Sequence, residues 1–546
     1  MHANYAALDQ RRVFQARITW RAGVIQSITE CGPEAADLGY LIPGCIDAHV
    51  HIESAMLPPA EFGRLALCHG TIACVGDPHE IANVLGAGGV EYMLENARRS
   101  PFKAFFGAPS CVPATPYEST GGRLDGPQIE ALFDHPEIRC LSEMMNFPGV
   151  LAKDPGVMAK LALASERGYP IDGHAPGLRG EQAAAYAAAG ITTDHECTTL
   201  DEARDKLAAG MSILIREGSA ARDFDALHPL ITEATGRVML CSDDKHPDDL
   251  LSGHINRLAA RAVALGHSPF DLLRVACLNP IDHYRLPLGR LRVGDPMDAQ
   301  LVSDLRQFTP LRVWIDGELV AEAGKSLLPL LTGPRPNQFA ARPLSPRQLQ
   351  IAHPGGAVRV IQARDGSLLT GERITSPLTH DAQVVADTGR DILPLAVINR
   401  YRPAPPALAL VNGFGIRRGA IASSVAHDSH NIIAVGADPD DLCAAINAVI
   451  RARGGVAVAE AGSVDILPLP IAGIMSDADG ATVGRHYAAL SDKARALGSP
   501  LAAPFMTLSF MALLVIPELK LSDQGLFDGR TFRFTTLACD AAPVSG

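Results

Sequence analysis

The sequence predicts an α/β chain built on a (β/α)8 barrel, joined by a small flanking β-sandwich domain and a C-terminal α+β domain. Three observations predict it. Eight short apolar runs alternate with amphipathic Ala/Leu-rich stretches between residues 44 and 285, which is the pattern of parallel βα units at the size of one barrel. Polar residues gather at the C-terminal ends of those runs, where barrels of this class carry their chemistry. Strand-like alternating segments flank the barrel on both sides.

Taken in order, residues 1–43 contain "VFQARITWRAGVIQSI", which alternates as strands do. The eight barrel strands are expected in "GCIDAHVHI", "GTIACVGDP", "FKAFFGAPS", "IRCLSEMMNF", "YPIDGHAPG", "ITTDHECTT", "MSILIREGS" and "RVMLCSDDKHP". Helices are expected between them, as in "GEQAAAYAAAG" and "LDEARDKLAAG". Residues 286–330 hold "GRLRVGDPMDAQLVSDL" and "PLRVWIDGELVA", and these strands are expected to join residues 1–43 in one composite β domain. The Pro-rich stretch at 331–345 reads as a linker, and 346–546 as the C-terminal domain. The apolar run "LAAPFMTLSFMALLVIP" from Leu501 is broken by Pro504, Thr507 and Ser509 and falls short of a bilayer span. It reads as a buried helix and strand. The closing "TTLACDAAPVSG" reads as a frayed tail.

A chain of 546 residues exceeds one ordinary core. The net charge of −12 and the lack of a basic run argue against nucleic acid as a partner. Eleven scattered cysteines with no C-x-x-C pair point to a reducing compartment. The opening residues hold no apolar signal core. A cytoplasmic protein with no membrane segment is expected.

His49 and His51 stand two residues apart at the end of the first apolar run, so both rings project to one side of a strand. Glu143 sits late in strand four, His174 and His195 end strands five and six, and Asp243 with Asp244 ends strand eight. On a barrel these ends converge. His49 and His51 would hold one divalent metal and His174 and His195 a second. Glu143 would bridge them, and Asp243 would complete the first site. Imidazole with carboxylate suits Zn, Fe or Mn. Two cations side by side yield hydroxide at neutral pH, and Asp243 is placed to carry its proton.

"PGCIDAHVHIES", the strand-five and strand-six histidines and the strand-eight aspartate resemble the amidohydrolase superfamily. "DPHEIANVLG", "PSCVPATP", "EMMNFPGVL", "PIDGHAPGL", "TDHECTTL", "MSILIREGSAAR" and "DDKHPDDLL", with "RGAIASSVAHDSHN" and "LPLPIAGIMSD" further on, resemble its microbial adenine deaminases. The resemblance spans 41–546. It implies purine salvage by hydrolytic deamination of adenine to hypoxanthine and ammonia. It also implies two divalent ions per chain, Mn2+ first, with Fe2+ or Zn2+ open, and a homo-oligomer such as a dimer. Carried onto this chain, it makes His49, His51, Glu143, His174, His195 and Asp243 the ligands, with Glu143 and Asp243 catalytic and Asp244 the alternative to Asp243. Asp77 and Glu80 of "DPHE" become substrate-facing or supporting candidates. Arg216, with Glu217, becomes a substrate contact or a brace for its loop, the brace being favoured. The chain opens more abruptly than the family pattern.

Strand four contains no lysine, which argues against a cyclic-amide hydrolase of the same superfamily. Deamination of N6-methyladenine stays open on these motifs, as does an inactive metal-binding scaffold. "HIE" at His51–Glu53 matches half of a zinc nucleobase deaminase signature, but the P-C-x-x-C half is missing. His427, Asp428 and His430 in "VAHDSHN" read as a polar turn at a domain interface near the barrel mouth, rather than a further metal site. "NGFGIRRGAIASS" lacks phosphate-loop spacing, in keeping with a free base as substrate.

Overall fold

The computed structural model describes residues 1–539. All eight apolar runs form strands: β1 (Cys45–Val50), β2 (Thr71–Gly76), β3 (Lys103–Ala108), β4 (Ile138–Met144), β5 (Ile171–Gly173), β6 (Thr193–Asp194), β7 (Ser212–Arg216) and β8 (Val238–Cys241). β1 to β5 form one parallel sheet and β6 to β8 another. Backbone hydrogen bonds close both seams. Thr192 donates to the Ile171 carbonyl at 2.8 Å, and Asp243 donates to the His49 carbonyl at 3.0 Å. The result is a closed barrel. Every residue of β1 and β2 is buried, because strands covered by helices outside and by side chains inside meet no water on either face. The two Ala-rich segments form helices Gly180–Ala188 and Leu200–Ala208. Thr199 caps the second by accepting from the Glu202 N–H at 3.3 Å.

The flanking strands make one hydrogen-bonded sheet of eight rather than two separate sheets. Its order is Lys325–Ser326, Glu318–Glu322, Pro310–Ile315, Ala299–Val302, Tyr40–Pro43, His2–Ala7, Arg12–Arg21 and Val24–Pro33. Chain segments from both sides of the barrel meet where Tyr40–Pro43 pairs with Ala299–Val302. Phe14, Ile18, Leu41, Met297 and Trp314 pack together as its core.

Residues 331–345 hold neither helix nor strand. They lie against the C-terminal domain, with Ala340 donating to the Arg400 carbonyl at 2.6 Å and Asn337 Nδ2 to the Arg453 carbonyl at 2.7 Å. Beyond them a sheet runs through Gly371–Thr375, Ala357–Gln362, Ala407–Asn412, Leu393–Ile398, Ile432–Gly436, Ala420–Ser423, Gly455–Glu460 and Ser463–Pro468. Helix Pro439–Ala452 covers one face through Leu442, Ile446 and Val449. The other face merges with the barrel: a single apolar cluster contains Val50 and Ile81 of the barrel together with Val397, Ile421 and Met511 of the C-terminal domain. Of the closing segment, Ala538–Cys539 pairs with the Ala357–Gln362 strand; the rest of the expected tail, 540–546, lies outside the described residues.

The run from Leu501 begins as expected with a helix, Pro504–Phe510. The strand expected after it is absent. Residues 511–516 form turns, and the next strand starts at Leu519. Phe510, Leu513, Val515 and Ile516 instead cover the C-terminal mouth of the barrel, so their apolarity serves a cavity roof and not a sheet. Among the described residues no helix is long and apolar enough to cross a membrane, and all eleven cysteines are free.

Candidate metal centre

His49 lies in β1 and His51 directly follows it. Their rings stand 4.9 Å apart and nearly perpendicular. His51 Nδ1 faces the Asp77 carbonyl at 3.3 Å. A proton on Nδ1 satisfies that contact and leaves Nε2 free to ligate. Asp243 follows β8 with a left-handed φ of +51°, a conformation aspartate tolerates better than most residues. Its N–H donates to the His49 carbonyl, and its own carbonyl accepts from the His51 N–H at 3.2 Å. The barrel seam therefore fixes Asp243 beside both histidines. Its Oδ1 lies 3.1 Å from His51 Nε2 and 3.5 Å from His49 Nε2.

Glu143 projects from β4 between two groups of imidazoles. Oε2 lies 2.7 Å from His174 Nδ1 and 3.1 Å from His195 Nε2, while Oε1 lies 3.5 Å from His51 Nε2. The His49 and His195 rings stack at 4.1 Å. All six ligand candidates from the sequence thus meet in one buried space. His174 owes its place to Gly173, where a Cβ would lie 2.3 Å from the Thr193 carbonyl oxygen. Tyr186 steadies the same turn, donating to the Met144 carbonyl at 2.7 Å and accepting from the His174 N–H.

The electrostatics fit cations. Burial alone would raise Asp243 and Glu143. The His49 and His51 contacts on Asp243, and those of His174 and His195 on Glu143, outweigh burial and hold both carboxyls well below their usual range. Burial alone would lower His195, but its contact with Glu143 raises it to about 9. His51 is raised in the same way by Asp243 and its acidic neighbours. Protons on these imidazoles supply positive charge where divalent ions would supply it, and metal uptake would displace them. His49 Nε2 and His174 Nε2 are buried with no hydrogen-bond partner, as expected of atoms reserved for a ligand.

Arg216, at the end of β7, is 3% exposed. Its Nη1 contacts Glu196 and lies 3.0 Å from Asp243 Oδ2, and its Nε lies 2.7 Å from Asp223 Oδ2. It braces three carboxylates while also lining the cavity at the barrel mouth. Glu80 lines that cavity too, whereas Asp77 turns its carboxylate toward His79. Glu217 pairs with Arg261 on the outer side.

Of the other residues that meet here, Glu196 had no place in the sequence reading, whereas His427 and Asp428 lie near the barrel mouth as expected. His79 Nδ1 lies 3.3 Å from Glu143 Oε1 and 3.3 Å from Asp77 Oδ2; its place in "DPHE", just past the second strand, is the sequence signal for it. Glu196 lies 3.4 Å from His195 Nε2. Alternation along a strand would point it away from His195, but β6 ends at Asp194. His427 and Asp428 enter from the C-terminal domain and line the cavity. Both imidazoles of "VAHDSHN" contact Glu80, His427 Nδ1 at 2.6 Å from Oε1 and His430 Nε2 against Oε2. Burial raises the Asp428 carboxyl to about 6.

A parallel barrel with an H-x-H pair, two further histidines and an aspartate on its strand ends defines a metal-dependent hydrolase. Residues 40–320 match the Amidohydrolase family. Residues 367–533 match the Adenine deaminase C-terminal domain. The chain is 52% identical over 531 residues to the adenine deaminase of Salinibacter ruber, covering 96% of each chain. It is 50% identical over 535 residues to that of Sulfurovum sp., covering 98% of each. It is 48% identical over 543 residues to that of Methanosarcina mazei, covering 97% of this chain and 98% of the other. The chain belongs to the adenine deaminase family.

Proposed function

We propose that this protein hydrolyses adenine to hypoxanthine and ammonia, with two divalent ions held by His49, His51, Glu143, His174, His195 and Asp243, and with Mn2+ as the preferred metal. The observation that carries the reading is the meeting of these six side chains in one buried space. They come from five different strands, beneath a cavity that a second domain closes. When bound, the ions lower the pKa of water so that hydroxide is available at neutral pH.

The protein's own residues do the rest. Glu143 stands between the two histidine groups and fixes their separation. Asp243 is desolvated and ionised, so an oxygen of its carboxylate accepts the proton of the attacking water. The same carboxylate delivers it to N6 of adenine as the C6–N6 bond breaks. Arg216 on Oδ2 keeps that carboxylate in one orientation. Phe510, Leu513, Val515 and Ile516 exclude bulk water above the reacting carbon. Conversion follows as one water added and one ammonia lost, with no redox change.

The test is purification with Mn2+ supplied and iron chelated, followed by absorbance of adenine turning to hypoxanthine beside metal analysis. Turnover with about two metals per chain, lost in Glu143→Gln and Asp243→Asn, is expected. Two metals without turnover would sink the substrate, and no bound metal would sink the centre.

A further inference from the structure

Asp428 is a buried carboxyl with no role in the centre described above. It comes from the C-terminal domain, is 4% exposed, and lines the cavity roofed by Phe510 and Ile516. Its Oδ2 has no hydrogen-bond partner. The nearest cationic atom to its Oδ1 is His79 Nε2, at 4.0 Å. The neighbouring His427 is held differently: Glu80 takes its Nδ1, and Phe510 stacks on its ring at 5.0 Å. A buried carboxylate oxygen without a donor is costly, and a donor on the ligand removes that cost.

We infer that Asp428 is a specificity residue that accepts the imidazole-ring N–H of the purine and so restricts the site to free bases. The inference rests on adenine being the substrate. Adenine offers two kinds of donor. The C6 amine must face the metal ligands, because hydroxide attacks C6. The donor left over is the N–H at N9 or N7. A nucleoside or nucleotide carries its sugar on N9 and has no such hydrogen. The base therefore satisfies Asp428, and a nucleoside strands it. Sites built around a buried polar group reject analogues that lack its partner by on the order of 10⁴-fold or more.

The test compares adenine with 9-methyladenine on the Mn2+-loaded wild type, Asp428→Asn and Asp428→Ala. Wild type is expected to favour adenine by several orders of magnitude in kcat/KM. Asp428→Asn, equal in size, is expected to lose about tenfold to a hundredfold in kcat/KM for adenine, the loss of one hydrogen bond to a charged group, carried mainly by KM. Asp428→Ala is expected to bring the two substrates within about tenfold of each other. Metal content should stay at the wild-type value, and thermal stability should be unchanged or higher, since an unpaired buried charge is gone; a merely structural aspartate would lower it. Adenine turnover with the wild-type preference intact in both variants overturns the inference alone. A wild type that binds metal but does not deaminate adenine overturns the substrate reading, and the inference with it.

Discussion

Replacing Arg216 with methionine strands three buried carboxylates at once. Its guanidinium contacts Glu196, Asp243 and Asp223, the last two at 3.0 and 2.7 Å. The four side chains are 3%, 5%, 6% and 11% exposed, so solvent screens them little. At an effective dielectric near 20, each contact is worth roughly 5 kcal/mol of gross attraction. Most of that offsets the desolvation of the ions themselves. Removing one partner of a buried pair costs about 3–5 kcal/mol, and three dependents place Arg216→Met at the upper end. Arg216→Lys keeps the charge but not the fork, so it recovers only part. The assay is urea unfolding of the metal-free protein, followed by metal analysis and kcat for adenine. The expected order of stability is wild type, then lysine, then methionine, with kcat falling in both variants as Asp243 loses its fixed orientation. A methionine variant within about 1 kcal/mol of wild type would refute the claim that this guanidinium neutralises the site.

Three further outcomes are expected. Glu143→Gln removes the charge that faces both histidine groups, and metal analysis should show fewer than two ions per chain, with deamination lost at matched protein concentration. Gly173→Ala forces a Cβ against the Thr193 carbonyl and Ile191; overpacking of this kind costs about 1–3 kcal/mol, read as a lowered melting temperature with impaired metal retention through displacement of His174. The third concerns pH. Glu143 and Asp243 are depressed, so their contribution to stability is present above roughly pH 4 and lost in acid. His195 is raised to about 9, so its contribution is full below roughly pH 6.5 and lost as pH climbs through 9. The metal-free protein should therefore weaken between about pH 6.5 and 9, while the Mn2+-loaded protein should not. Mn2+ binding should release protons, measurable as a buffer-dependent calorimetric heat; metal uptake with no proton release near pH 7.5 would contradict it.

The barrel was legible because its strands are short, largely buried apolar runs that alternate with amphipathic helices. The convergence of the candidate ligands was legible for a related reason. A strand end fixes where a side chain points, so His49, His51, Glu143, His174 and His195 could be placed from position, and the last acidic ligand narrowed to Asp243 or Asp244. Legibility failed wherever that rule stops. Glu196 lies past a two-residue strand, where its N–H donates to Asp194 Oδ1 at 2.8 Å and strand alternation no longer sets its direction. His79 begins a helix, Pro78 preceding it, so no strand alternation aims it. His427 and Asp428 arrive from more than 180 residues beyond the last barrel strand, and only tertiary packing brings them to Glu80. The apolar run after Phe510 misled for a different reason. Burial against a cavity asks for the same residue types as burial in a sheet, and composition does not distinguish them.

The apolar cluster shared by the barrel and the C-terminal sheet bears on how the chain can be divided as much as on stability. A fragment ending near residue 330 would keep every proposed ligand yet expose oily surface where Val397, Ile421 and Met511 now sit, and it is expected to be insoluble when made alone. Splitting the chain at that point is therefore expected to cost both halves their solubility. The half that carries the candidate ligands and the half that roofs them are expected to behave as one folding unit, so that neither can be moved to another protein without the other.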